Sequence, residues 1–267
     1  MTVVYDDYIM YSKTMEAYKI KTLMDILCNT VKQSFFNINS NGIDMTMFDQ
    51  FRNILVSFKL TNDGFNVFKF NDPDNNGVVN VSFTTSHLYK MLKTCKKKDC
   101  LELCILKNKP YELVIRTRPR DQNRVTVSVI HTSLSPNIHI EKPVFDNCNS
   151  VIIPSADFCK IMKDISLVGS DTITISTVEN TVKFEANADG ILKRSIIYGN
   201  DESTDYTYTG SFSHDRLSKI IKIAALGDVV QFYTQDERNP LKIKSRIGDI
   251  GVLELYIKSN DIIASER

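Results

Sequence analysis

Apolar positions along this chain follow two periods, and the two alternate in blocks. Ile9 to Met15 fits a strand; Ile20, Leu23, Met24, Leu27 and Val31 then recur at the spacing of one helix face. The runs Ser34 to Ser40 and Ile43 to Phe48 flank Asn41-Gly42, whose tolerance of positive φ predicts a hairpin turn. Strands are expected at Asn53 to Leu60 and Phe65 to Phe70, a helix over about Thr84 to Thr94, a hairpin from Cys100 to Arg116, and a strand from Arg124 to His131. Leu134 to Asn149, with Pro136 and Pro143, breaks the pattern and suits a connector.

The same order then restarts. Ser155 is the expected N-cap of a helix through Leu167, ahead of Gly169. Thr172 to Val178 and Val182 to Ala186 make a hairpin, and Ile191 to Tyr198 and Tyr206 to Phe212 are strands. A helix over His214 to Ala225 is followed by strands at Val229 to Thr234, Leu241 to Ile247 and Gly251 to Ile257. Helix anchors at Leu23, Leu88, Phe158 and Leu217 each precede a hairpin, a twofold repeat of a twofold repeat. So few helices exclude a parallel βαβ sheet. The expected class is α+β: two similar domains, antiparallel sheets with four helices together on one face. The spans are 1–133, a connector at 134–149, 150–258 and a tail at 259–267.

One phrase is written three times: Leu88-Tyr89-Lys90-Met91-Leu92-Lys93, Phe158-Cys159-Lys160-Ile161-Met162-Lys163 and Leu217-Ser218-Lys219-Ile220-Ile221-Lys222. Lysines three apart share a helix stripe, and the apolar residues gather on the opposite side. A single such helix is an ordinary solvated face. Equivalent placement in repeated units turns the lysines into a sequence-independent footprint for phosphates. A fainter copy around Ile20 to Leu27 contributes Lys21.

Composition sharpens this by what it removes. Lys and Arg total 33 against 32 acids, so any basic surface must come from segregation rather than net charge. No apolar run reaches membrane-spanning length and Met1 to Tyr8 lacks the features of a secretory signal, so a soluble intracellular protein is expected, with no membrane partner. The six cysteines fit reduced thiols, and Cys95, Cys100 and Cys104 lack zinc-ligand spacing. Asp72-Pro73-Asp74-Asn75-Asn76-Gly77 imitates a calcium loop, but Phe83 stands where the bidentate Glu belongs. No metal or cofactor is expected. Phosphate-binding and nucleophile motifs are absent, and His87, His131, His139 and His214 are scattered, so no enzyme is expected either.

The order of elements, together with Pro154-Ser155 through Phe158, Lys163 to Ser166 with Val168-Gly169, Val182-Lys183-Phe184, Asn41-Gly42-Ile43, Phe48-Asp49, Pro240-Leu241, Ile247, Gly251 and Tyr256, resembles the sliding clamps of the proliferating cell nuclear antigen family. The resemblance covers about Ile9 to Ile257. It implies a homotrimeric ring around duplex DNA, helices inside, that tethers DNA polymerase and other replication proteins after a clamp loader has placed it. It implies a nuclear site of action, or a cytoplasmic replication site for a viral protein. The Asn-, Ile- and Lys-rich composition suits an AT-rich genome such as that of a large DNA virus.

By position, the resemblance implies DNA contacts from Lys21, Lys90, Lys93, Lys160, Lys163, Lys219 and Lys222, with Lys96 and Arg216 added. It implies a partner pocket from Phe48, Leu55, Ile140, Pro143, Pro240, Tyr256 and Ile257. It implies a subunit interface from Val125, Val127 and Ile130 against Val182, Phe184 and Ala186. Arg52-Asn53, Lys142 and Lys258-Ser259 depart from the family pattern and make the pocket rim more polar and positive. The alternatives are a monomeric or hetero-oligomeric, checkpoint-like clamp subunit and, from another class, a scaffold whose lysines are merely solvated.

Overall fold

A computed structural model describes residues 5–71, 77–120, 123–136, 139–146, 148–200 and 205–266. The calcium-like residues Asp72 to Asn76 lie outside them. The chain forms two compact units: Met1–Met47, Val56–Ile140 and Ile247–Leu253 in the first, Phe48–Leu55, Glu141–Arg246 and Glu254–Arg267 in the second. The sequence pattern expects contiguous spans; each unit instead draws in a short segment from elsewhere in the chain.

The first unit begins with β1 (Tyr8–Thr14), α1 (Ala17–Thr30), β2 (Gln33–Asn39), β3 (Gly42–Phe48) and β4 (Ile54–Thr61). It continues with β5 (Val67–Phe70), β6 (Val78–Thr84), α2 (Thr85–Leu92), β7 (Cys100–Leu106), β8 (Lys109–Arg118), β9 (Thr126–His131) and β10 (Ser133–Leu134). One antiparallel sheet has the order β5-β1-β7-β8-β9, and a second runs β10-β6-β2-β3-β4. The Asn-Gly hairpin forms as expected, with Asn39 opposite Gly42. Gly42 is required twice over: its φ is 135°, and a Cβ there would lie 1.9 Å from the Leu60 carbonyl oxygen. β6 is an addition to the expected strands; its Val79, Val81 and Phe83 alternate with polar residues just before α2.

Amphipathic spacing explains the helices. Leu23, Met24 and Leu27 of α1 and Leu88 and Leu92 of α2 are buried, and the two helices pack together. On the strands, Phe36 meets Phe58 and Phe83 edge to face, with ring centroids 5.3 and 4.8 Å apart.

The second unit contains β11 (Asn149–Pro154), α3 (Ser155–Ser166), β12 (Thr172–Val178), β13 (Thr181–Ala188), β14 (Leu192–Tyr198), β15 (Tyr208–Ser213) and α4 (His214–Ile220). A 3₁₀ turn over Ile221–Ala225, β16 (Val229–Thr234), β17 (Leu241–Ile247), β18 (Gly251–Ile257) and α5 (Asn260–Ser265) complete it. Its sheets are β14-β13-β12-β15 and β11-β16-β17, antiparallel throughout. Phe232 of β16 sits between Phe158 of α3 and Phe184 of β13, with centroids 5.6 and 5.8 Å away.

Two local expectations change. Pro154, not Ser155, is the N-cap of α3; Ser155 starts the helix, and its hydroxyl donates to the Gly227 carbonyl at 2.7 Å, fixing the helix start to the segment before β16. The last of the four expected helices keeps α-geometry only to Ile220, so Lys222 lies on the 3₁₀ turn.

Candidate nucleic-acid interface, docking cleft and subunit edges

The cations fall into different electrostatic situations. Lys90, Lys93, Lys96 and Lys163 are exposed, and among the described residues no carboxylate pairs with their ammonium groups, although the Lys96 backbone N–H donates to Asp99 at 2.8 Å. Lys160 lies 3.8 Å from Asp157 and Lys219 2.7 Å from Asp215, ion pairs on their own helices. Such exposed pairs exchange readily for other anions. Lys222 is exposed on its turn. Lys21 is spent differently: its ammonium donates to the Cys95 carbonyl at 3.0 Å and lies 5.3 Å from the Tyr18 ring centre, tying α1 to the segment after α2.

Arg216 departs from the expected set. Its guanidinium donates to the Lys258 carbonyl at 2.8 Å and to the Asn260 side chain, and partial burial lowers its pKa despite the nearby Asp49. It braces the C-terminal segment rather than presenting a free charge. Cys95 also has an internal role: burial, then Asp99, pushes its thiol up to about 11, which leaves it inert. Among the described residues no cluster of three potential metal ligands forms, and no helix is long and apolar enough to cross a membrane.

A cleft of about 190 Å³ lies within the second unit. Phe48, Leu55, Pro143, Pro240 and Tyr256 line it, as the sequence suggested. Ile257 does not: alternation along β18 turns it away from Tyr256, and it is fully buried. Ile140, half-buried, belongs to the first unit and is absent from the lining. Arg52, Asn53, Glu141, Arg238, Lys258, Ile262 and Glu266 complete the lining. Arg52, Asn53 and Lys258 were visible in the sequence as departures at the rim, whereas Ile262 and Glu266 belong to a tail that periodicity left unread.

Local bonds fix the walls. The Asp49 carboxylate accepts from the backbone N–H groups of Asn53 and Ile54 at 2.7 and 2.8 Å. That turn holds Arg52 at a φ of 57° and places its guanidinium 5.1 Å from the Phe48 ring centre. Tyr256 is set by its neighbours on the strand: Lys242 stands 5.4 Å from its ring centre and pairs with Glu254 at 3.0 Å. Lys142 adds a second 3.0 Å pair to Glu254. Burial alone would raise the Glu254 pKa, but hydrogen bonds from Lys242 and Lys142 outweigh it and hold the carboxyl below the usual range.

The sheet edges correct the expected subunit interface. Among the described residues β9 is an edge strand, paired only with β8, and Val125, Val127 and Val129 are each about half exposed or more, at 48%, 57% and 48%. Ile130 faces inward and is buried. β13 is flanked by β12 and β14, so Val182, Phe184 and Ala186 belong to the core. Among the described residues β14 is one edge of that sheet and β15, against which α5 lies, the other; on β14, Leu192 is 50% and Ile197 37% exposed, preceded by Ile191 at 91%. Apolar side chains on unpaired edges invite another strand.

Models of the proliferating cell nuclear antigen N-terminal and C-terminal domains match residues 9–134 and 140–260. The chain belongs to the proliferating cell nuclear antigen family of DNA sliding clamps. "Probable DNA polymerase sliding clamp 1" of Paramecium bursaria Chlorella virus 1 is 22% identical over 261 residues, covering 94% of this chain and 97% of that protein. Proliferating cell nuclear antigen 2 of Drosophila melanogaster is 25% identical over 249 residues, covering 91% and 94%. The crystal structure of proliferating cellular nuclear antigen from Entamoeba histolytica superposes with a TM-score of 0.80 at 23% identity, covering 95% of this chain and 99% of that one. Within this family frame, the helix-borne lysines and the lined cleft are the two surfaces whose chemistry the chain has to explain.

Proposed function

We propose that three copies of this chain close edge to edge, β9 of one copy against β14 of the next, into a ring around duplex DNA. The observation that carries the reading is the pair of open strands with exposed apolar side chains, Val127 and Val129 on one, with Val125 just before it, and Leu192 and Ile197 on the other. Each leaves backbone donors and acceptors without a partner strand, and a heterologous contact between them closes a ring when the rotation permits. Lys90, Lys93, Lys96, Lys160, Lys163, Lys219 and Lys222 would face the phosphates, and Lys21 and Arg216 would shape the surface without contributing free charge. Because topology retains the DNA, weak sequence-independent contacts suffice and permit sliding.

The cleft would dock segments of DNA polymerase and other replication proteins, with the protein acting as a processivity factor and not as an enzyme. A clamp loader would open the ring, and the site of action would be the nucleus or a viral replication site. Native mass measurement tests the ring. The wild-type chain is expected at three times the single-chain mass, and Val127→Asp or Ile197→Asp at the single-chain mass. A monomeric wild type, or trimers in both variants, would overturn the edge assignment.

A further inference from the structure

The docking cleft is walled in part by the chain's own C-terminal tail. α5 places Ile262 and Glu266 among the lining residues. This helix has six residues, none of them buried, and a helix that short does not hold itself in water. Its position is maintained by polar contacts at both ends. The Ser259 hydroxyl accepts from the Ile262 N–H at 3.2 Å, and Asn260 donates to the Ser211 hydroxyl of β15 at 3.2 Å. Arg216 clamps Lys258 and Asn260. At the far end the Lys258 ammonium bonds both oxygens of Glu266, at 2.6 and 2.7 Å.

These contacts make a latch that opens easily. The Glu266 side chain is 53% exposed, so its ion pair is screened and exchangeable. Within β15, the strand on which α5 packs, the buried Tyr208 hydroxyl has no hydrogen-bond partner among the described residues. That hydroxyl is an uncompensated polar group within the strand that carries α5. The cleft rim adds Arg52 and Arg238, both exposed, with no ion pair to either guanidinium among the described residues. The rim thus offers more positive charge than Glu266 alone engages.

We propose that α5 with Glu266 is an intrachain cover over one side of the docking cleft, displaced by partner segments that offer an aliphatic side chain in place of Ile262 and a carboxylate in place of Glu266. The proposal rests on the reading of the cleft as a docking site and adds its regulation and the chemistry it selects. Partners lacking an acidic residue at the rim compete poorly with the latch. Raised salt loosens α5 and weakens the acidic partners together.

The test uses the full-length chain and a synthetic peptide of residues 259–266, followed by ligand-observed NMR line broadening. Ile262 is only half-buried, so Ile262→Ser frees the cleft without touching the core. If the cleft is covered in most wild-type molecules, the variant binds the peptide about tenfold better. A peptide carrying Lys in place of its Glu loses that gain. Hydrogen exchange gives a second readout: the Ile262 and Ile263 amides exchange faster in Lys258→Glu, and the reversed pair Lys258→Glu/Glu266→Lys restores protection. Equal peptide binding by wild type and Ile262→Ser, no binding by either, or unchanged exchange in Lys258→Glu would overturn the proposal. None of these measurements involves DNA or polymerase, so the docking and ring readings can fail separately.

Discussion

The two units carry the same lysine phrase and use it differently. On the first, Lys90, Lys93 and Lys96 stand exposed with no carboxylate paired to their ammonium groups among the described residues, while Lys21 is bonded to the Cys95 carbonyl. On the second, Lys160 and Lys219 each lean on an aspartate of their own helix, and Lys163 is exposed without one among the described residues. Repeated sequence therefore does not give repeated electrostatics. The acid three or four residues before a lysine decides how much of its charge reaches a phosphate.

Charge reversal tests that contrast with the largest effect. Lys90→Glu/Lys93→Glu is expected to reduce retention on DNA about tenfold or more, and to lower the dependence of retention on salt by about two phosphate contacts. Lys160→Glu/Lys219→Glu has the smaller effect, because part of that charge is already neutralised in the wild type. Equal losses in a salt titration of DNA retention would erase the distinction between the units.

Lys21→Met separates structure from binding. Loss of a charged hydrogen bond to Cys95 should cost about 1.5 kcal/mol in urea unfolding, with DNA retention nearly unchanged. The reverse pattern would return Lys21 to the contact set. In the opposite direction, Asp157→Asn/Asp215→Asn should raise retention about twofold by releasing the paired lysines, measured under the same salt series.

The smallest effect concerns pH and the cleft wall of the second unit. The Glu254 pKa is held below the ordinary carboxylate range, so its contribution to stability is complete above that range and disappears as pH falls through the lowered value. Thermal melting between about pH 6 and pH 3 should therefore fall more steeply for the wild type than for Glu254→Gln. Parallel curves would show that Lys142 and Lys242 leave the carboxylate unperturbed.

Much of the architecture was legible because hydrophobic period carries it. The four helix positions, the Asn41-Gly42 hairpin and the restart after the connector follow from spacing alone, since buried faces impose it. The missed elements have physical reasons. β6 follows a polar run of sequence that hides its alternation, and α5 is too short for a helical period to show. At the cleft, Phe48, Leu55, Pro143, Pro240 and Tyr256 came from resemblance and do line one space, whereas Ile257 fell on the wrong face of its strand. Resemblance also placed the open edge on Val182, Phe184 and Ala186, whose strand is paired on both sides and whose apolar side chains are buried. Which strand lies at an edge depends on pairing across the sheet, and no local pattern around β14 contains that.

Retention on closed circular DNA is the most direct measure of the central claim, that open edges and exposed lysines serve a ring around the duplex. The chain, placed on circular DNA by a clamp loader, should remain bound through gel filtration at moderate salt and leave when a single cut linearises the circle. Equal retention on circular and linear DNA, or no retention on either, would contradict it.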